Sequence, residues 1–229
     1  MAYGSAFIDT LTSSGNLTIT GNTSSNTYNV TSQALGTATA GRLEYDGKVP
    51  YFTPLGTQRG VVPGMQYYIL NSGLAGSNAT GAQSMFGVGV TLSASTIYRF
   101  EALWMPYKTA GTTSHTVSIG YGGTATTNWI AWDVLWNATT SYNVVDSGAY
   151  FTGSTQTTAF AITPARTNAN EYDIFHFKGT VSINAGGTFI PQYSLSAAPG
   201  GAYTGSAGSY FLIYPVGASG ANVSVGTWA

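Results

Sequence analysis

Only 7% of the 229 residues are charged, seven basic and eight acidic for a formal net charge of −1, while 14% are aromatic and none is cysteine. An ordinary soluble domain carries about 25% charged residues, so the surface here must be built from Ser, Thr, Asn, Gly and Tyr. That balance excludes a basic field for nucleic acid or an anionic membrane. The missing thiols exclude disulfides and thiolate metal sites.

The start, MAYGSAFIDTLTSSGN, lacks a basic segment followed by an apolar one, so no secretory signal is expected and the mature chain is expected to begin near Met1. In residues 1–40 single apolar side chains (Leu17, Ile19, Tyr28, Val30, Leu35) alternate with small polar ones, too few for an independent core. Two readings fit: a disordered tail, or a narrow β segment stable only when copies from several chains wrap together. The second is preferred. The N-x-S/T sequons at Asn16, Asn22, Asn29, Asn78, Asn137 and Asn222 match what so Asn-, Ser- and Thr-rich a chain produces by chance, and no glycosylation is expected.

Residues 41–64 collect five of the fifteen charges: Arg42, Glu44, Asp46, Lys48 and Arg59. RLEY and KVPYF flank Asp46-Gly47, a pair favoured at type I′ hairpin turns. The pattern predicts Leu43 and Tyr45 on one face, Val49 and Tyr51 sharing a face on the return strand, and charge pairs of Glu44 and Asp46 with Arg42 and Lys48 across the hairpin. Pro50 predicts an unpaired side to that return strand. Pro54, Gly56, Gly60, Pro63 and Gly64 predict a loop over 54–64 that bounds an outer domain over 65–229.

From Met65 onward the patterning predicts strands over 65–70, 85–92, 96–107, 115–122, 128–136, 157–164, 171–184, 188–197 and 209–216, with no capped helical period between them. In DIFHFKGTVSI, Phe175, Phe177, Val181 and Ile183 share one face, opposite His176, Lys178, Thr180 and Ser182. The expected class is all-β, an antiparallel β-sandwich of jelly-roll type. NWIAWDVLW (128–136) and SYFLIYPV (209–216) are apolar on both faces; another subunit is the simplest cover for the second, which predicts an obligate homo-oligomer. Apolar runs this short do not reach the roughly 20 residues of a membrane-spanning helix.

Chemistry is sparse. His115 and His176 have no local ligand spacing; His176 is expected to face solvent beside Lys178, and His115 to begin a strand, so no metal and no cofactor is expected. Glu171 and Asp173 share a strand face, a spacing that could serve glycosidase acid/base work, whereas Asp173 and His176 face opposite sides. The glycines of SIGYGGT precede no helix, which argues against a phosphate loop. No nucleophile elbow or nucleotide fingerprint occurs, and no catalytic residue is assigned. The Tyr-, Asn- and Gly-rich segments 137–143 and 198–210 suit polysaccharide contact, without singling out a binding residue.

The stretches AGRLEYDGKVPYFTPLGTQRGVVPGMQYYILNSGL (40–74) and SAGSYFLIYPVGASGANVSVGTWA (206–229) resemble a group of bacteriophage virion proteins described as structural or tail-fibre-like. The resemblance covers Gly41 to Ala229. It implies a trimeric fibre, spike or head-decoration protein whose β-rich C-terminal domain faces outward. Together with the sparse chemistry, the leading expectation is a non-enzymatic homotrimeric fibre or spike whose residues 1–60 dock on the particle and whose distal loops recognise host surface polysaccharide. A capsid cement or head-decoration protein is the alternative, and a glycan depolymerase a second. The charged hairpin then reads as a joint between attachment segment and outer domain.

Overall fold

A computed structural model describes residues 29–139, 149–222 and 224–228, and the side chains of all of these but 139 and 149–151. The expectations for the first 28 residues, and most of the 137–143 segment, therefore lie outside the described residues. The chain divides into Met1–Thr31 and a compact unit Ser32–Ala229, and every described strand belongs to the second.

The described residues are all-β, and no helix occurs among them. A three-stranded antiparallel sheet comes first: β1 (Arg42–Tyr45), β2 (Pro50–Thr53) and β3 (Gly60–Val61), in that order. Short strands β4 (Gln66–Ile69), β5 (Leu74–Ala75), β6 (Gln83–Ser84) and β7 (Val90–Leu92) follow, then the long β8 (Thr96–Trp104) and β9 (Pro106–Lys108). Next come β10 (Val117–Gly122), β11 (Thr126–Thr139), β12 (Ala149–Ser154), β13 (Phe160–Ala161), β14 (Glu171–Ala185), β15 (Gly187–Leu195), β16 (Thr204–Gly205) and β17 (Tyr210–Ala218).

Two sheets make the sandwich. The larger contains β4-β17-β8-β14 in order, with β11 on the other side of β14 and β12 beyond it; β9, β16 and β5 extend it at one end. The smaller runs β13-β10-β15-β6, with β7 also on β15. Every candidate strand segment from 65 onward contains a strand. In β14 the alternation holds for Phe175, Phe177, Val181 and Ile183, which are buried, and His176 and Lys178, which are exposed, whereas Ser182 on the opposite side is buried and accepts from the Asn128 amide. Period-2 patterning decides this, because successive side chains leave a strand on opposite sides. In β8 the same rule buries Tyr98, Phe100, Ala102 and Trp104 and exposes Arg99 and Glu101.

Aromatic rings join the sheets. Trp104 of β8 meets Tyr193 of β15 at 4.7 Å, Phe100 meets Tyr121 of β10 edge-on at 5.3 Å, and Tyr121 meets Trp132 of β11 at 5.2 Å. Each such side chain contributes about 1.5–3 kcal/mol by leaving water, and packed ring pairs add about 0.5–1.5 kcal/mol. Gly179 interrupts the apolar row of β14 because a Cβ there would lie 2.7 Å from Phe100 Cζ and 2.5 Å from the Ala131 carbonyl oxygen.

The hairpin departs from its expected form in three ways. Tyr45 pairs with Pro50, leaving a four-residue loop, and only Gly47 within it has positive φ (89°), so the turn is not type I′. Asp46 replaces that geometry: its Oδ1 accepts from the Lys48 and Val49 N–H groups at 2.8 and 2.9 Å. β2 is the central strand, paired on both sides; Pro50 stands at its first residue, where the missing N–H costs no ladder bond, and its carbonyl accepts from Val62. The 54–64 segment is thus not all loop, since β3 lies in it. Leu43 and Tyr45 do share a face, as expected; Leu43 is 52% exposed there, and Glu44 between them points inward, fully buried.

Candidate functional site

The thirteen charged residues among the described ones fall into three groups, each with a different environment.

The first group sits at the three-stranded sheet. Glu44 pairs with Arg59 Nη2 at 2.7 Å and Arg42 Nε at 3.3 Å, and accepts the Gly36 N–H at 2.9 Å. Arg59 also donates to the Gly36 carbonyl. The expected pairing with Lys48 does not form: Lys48 Nζ reaches across to the Ala94 carbonyl at 3.0 Å, just before β8. Inward-facing Glu44 is held by Arg42 of its own strand and by Arg59 just before β3, whose guanidinium donors suit a carboxylate. Burial pushes the Glu44 carboxyl up, but the Gly36 N–H and then the arginines outweigh it and hold it below 4.5. Asp46 is likewise held low by its backbone donors and by the Tyr51 hydroxyl against the upward push of burial. Tyr51 is pushed up to about 12 by burial and by Asp46.

The second group lies inside the sandwich, at the end where β9, β14 and β16 meet. Glu171 and Asp173 share a face, as their spacing predicts, but that face is the core face, in phase with Phe175 and Phe177. Arg166 donates to Asp173 through both terminal nitrogens at 2.7 Å, and its Nη2 is 3.0 Å from Glu171. Asp173 also accepts the Trp136 indole N–H at 2.8 Å, and the guanidinium lies 5.3 Å over the Trp136 ring. Lys108 lies 3.3 Å from Glu171 and donates to backbone carbonyls of Gly111 and Asn168.

His115 does not begin a strand. It is buried, forms an isolated bridge with Arg166, and holds Thr113 O and the Tyr203 hydroxyl at 2.9 and 2.8 Å through its two ring nitrogens. The Tyr203 hydroxyl donates in turn to Glu171. Burial pushes the Asp173 carboxyl above its ordinary value against the pull of Arg166 and Trp136. Burial also drives Tyr203 far up. Burial opposes the Arg166 charge as well, but Asp173 foremost more than offsets this and holds it on.

Two carboxylates, a histidine, a lysine, an arginine and a tyrosine make an acid/base set by composition. Geometry withholds it from a substrate: both carboxylates grip one guanidinium, and Lys108, His115, Glu171, Asp173 and Tyr203 are each at most 2% exposed. Paired carboxylates that cleave a glycoside flank the bond instead. Sequence reading singled out Glu171, Asp173 and His115 but missed Lys108, Arg166 and Tyr203. A signal existed, for acidic residues in phase with core phenylalanines demand buried cationic partners.

The third group, Arg99, Glu101, Asp133 and Lys178, lies on the outer face of the large sheet. Glu101 of β8, Lys178 of β14 and Asp133 of β11 are side by side in one row. The next row is Tyr210, Leu103, His176 and Leu135. Among the described residues none of these four charges belongs to an ion pair; Glu101 accepts from the Tyr210 hydroxyl at 2.9 Å. Tyr67 stacks on Tyr210 at 5.6 Å, and Trp129 and Leu135 stay 46% and 40% exposed. A separate apolar groove of about 330 Å³ opens between β4, β17 and the β7 end of the small sheet, lined in part by Tyr67, Tyr68, Phe86 and Phe211.

No helix among the described residues is long and apolar enough to cross a membrane, and no His, Asp and Glu group there could hold a metal ion. No family model, no curated protein and no solved structure matches the chain.

Proposed function

We propose that this is a non-enzymatic structural protein of a bacteriophage virion: a short fibre or spike, homotrimeric, docked through residues 1–60, with the sandwich facing outward toward host glycans. The virion setting rests on the likeness carried by 40–74 and 206–229. The observation that supports a structural rather than a catalytic role is the closed ion cluster, in which the carboxylates suited to acid/base work are bound to Arg166 in the core. The joint fits the same reading, because Glu44 and Arg59 bind the Gly36 backbone and Lys48 binds the Ala94 carbonyl, which ties the three-stranded sheet to the chain on both sides of it.

Immunogold labelling of intact particles with antibody to this chain tests the proposal. Label on a fibre or spike is expected; label spread over the head would make the protein a capsid decoration, and its absence from purified particles would refute the virion role. Release of reducing ends from host polysaccharide, lost in Glu171→Gln, would refute the non-enzymatic role.

A further inference from the structure

The two outer faces of the sandwich differ in kind. On the small sheet the outward positions of β10 and β15 are mostly small or polar, Ser118, Thr188, Gln192 and Ser194, with Ile190 among them. On the large sheet they include Leu103, Tyr210, Leu135 and Trp129, together with four charges that no ion pair within the described chain uses. A chain this poor in charge has placed four of its fifteen on one apolar sheet face.

We propose that the outer face of the large sheet is the self-association surface, and that the half carrying β8 packs on the half carrying β14 of a second copy, with Lys178 meeting Glu101 of that neighbour. This rests on the reading that the protein assembles with itself, and assigns the surface. Three observations favour a second copy over another partner. The face is neutral, two positive and two negative charges, so it offers no net attraction to an anionic polymer. Its charge row reads minus, plus, minus across Glu101, Lys178 and Asp133, so shifting one copy by a strand sets unlike charges opposite each other. Six strands about 4.8 Å apart and seven residues long at about 3.4 Å each give a face of roughly 700 Å². A twofold buries all of it in one interface, close to the ~800 Å² per partner of a stable one, and a threefold ring buries it against two neighbours, half on each.

The contact suits either closure. In a ring about a threefold axis along the strands, each β8 half meets the next copy's β14 half; a twofold makes the same contact twice. The apolar row beside the charges, Tyr210, Leu103, His176 and Leu135, would be covered in both cases, and covering it removes the exposure that a solvated sheet face would not show.

Sedimentation and light scattering on the full chain test this. Wild type is expected to be oligomeric, and Lys178→Glu or Glu101→Lys alone to weaken association about tenfold or more, since each sets like charges against like. Each swap also places like charges on neighbouring strands within a chain, so the deciding arm is an equimolar mixture of the two variants. In a twofold pair mixed chains again oppose unlike charges at both contacts and should associate as wild type does; in a threefold ring two of the three contacts do, so association should recover in part. Ser194→Glu, on the other sheet, should change nothing. A wild-type monomer would overturn both this proposal and the oligomer reading. An oligomer indifferent to both swaps, variants that mixing fails to restore, or an equal effect of Ser194→Glu would overturn this surface alone.

Discussion

Truncating Asp173 to alanine probes the interior cluster most directly. The carboxylate accepts three hydrogen bonds, two from Arg166 at 2.7 Å and one from the Trp136 indole at 2.8 Å. Its loss leaves the guanidinium with Glu171 as its one carboxylate and the buried indole N–H without an acceptor. Breaking a buried ion pair from one side costs about 3–5 kcal/mol, and an orphaned donor about 1 kcal/mol more where the site cannot relax. About 4 kcal/mol in a unit of roughly 200 residues lowers Tm by about 8–16 °C. Urea unfolding and calorimetry at neutral pH read it, at fixed protein concentration because self-association adds to apparent stability. Replacing both partners, Arg166→Met with Asp173→Leu, should cost far less than the sum of the single changes, since no charge is then stranded. A single-variant loss below about 1 kcal/mol, or additive costs in the pair, would refute the view that these charges brace one another.

Acid should weaken the joint first. Glu44 and Asp46 are both held below their ordinary values of 4.5 and 3.8, so the stability they supply is complete above those values and is lost as pH falls through their lower folded values. Thermal melts from neutral pH to about pH 3 should therefore show an acid limb that flattens in Glu44→Gln; an unchanged limb would count against the Glu44–Arg59 contact. Gly47→Val should cost about 1–2 kcal/mol, because φ is +89° and a Cβ would meet Ser32 Oγ at 2.7 Å. Gly47→Asn, tolerant of that conformation, should cost less by the same urea assay.

How far the sequence reveals this molecule depends on how local the deciding physics is. The β14 faces were legible because alternation of Phe175, Phe177, Val181 and Ile183 with polar residues is a backbone periodicity. The two-residue strands β5, β6 and β16 were not, since pairing with distant segments alone makes them strands: Leu74 opposite Gly205, Tyr193 opposite Gln83. The hairpin location was legible from Asp46-Gly47, but its turn type was not, because the Asp46 side chain caps the loop in place of a second positive φ. The Glu44–Arg42 pair was legible from their spacing, but Arg59 as a second partner was not: it follows Glu44 by fifteen residues, and only the fold brings the two together. Arg166 and Lys108 likewise owe their roles to a meeting at Glu171 that no spacing announces.

Scarcity makes each charge informative. Among the described residues the joint holds Arg42, Glu44, Asp46, Lys48 and Arg59, the interior holds Lys108, Arg166, Glu171 and Asp173, and the outer sheet face holds Arg99, Glu101, Asp133 and Lys178. In the first two groups the charges find partners within the chain: Glu44–Arg59, Glu44–Arg42, Arg166–Asp173 and Lys108–Glu171 pair at 2.7–3.3 Å, while Asp46 holds backbone N–H groups and the Tyr51 hydroxyl and Lys48 the Ala94 carbonyl. Solubility does not explain the third, since Ser, Gln and Thr serve that purpose on the opposite sheet at no desolvation cost. Charges embedded in an apolar face contribute orientation more than affinity: they reject a misplaced neighbour, where leucine and tyrosine alone would accept many registers. A protein that must repeat one contact faithfully needs that rejection, and a surface otherwise made of Ser, Thr and Tyr supplies none of it. The same row would then do for assembly what Glu44 and Arg59 do for the joint, fixing one geometry among several that burial of apolar area alone would permit.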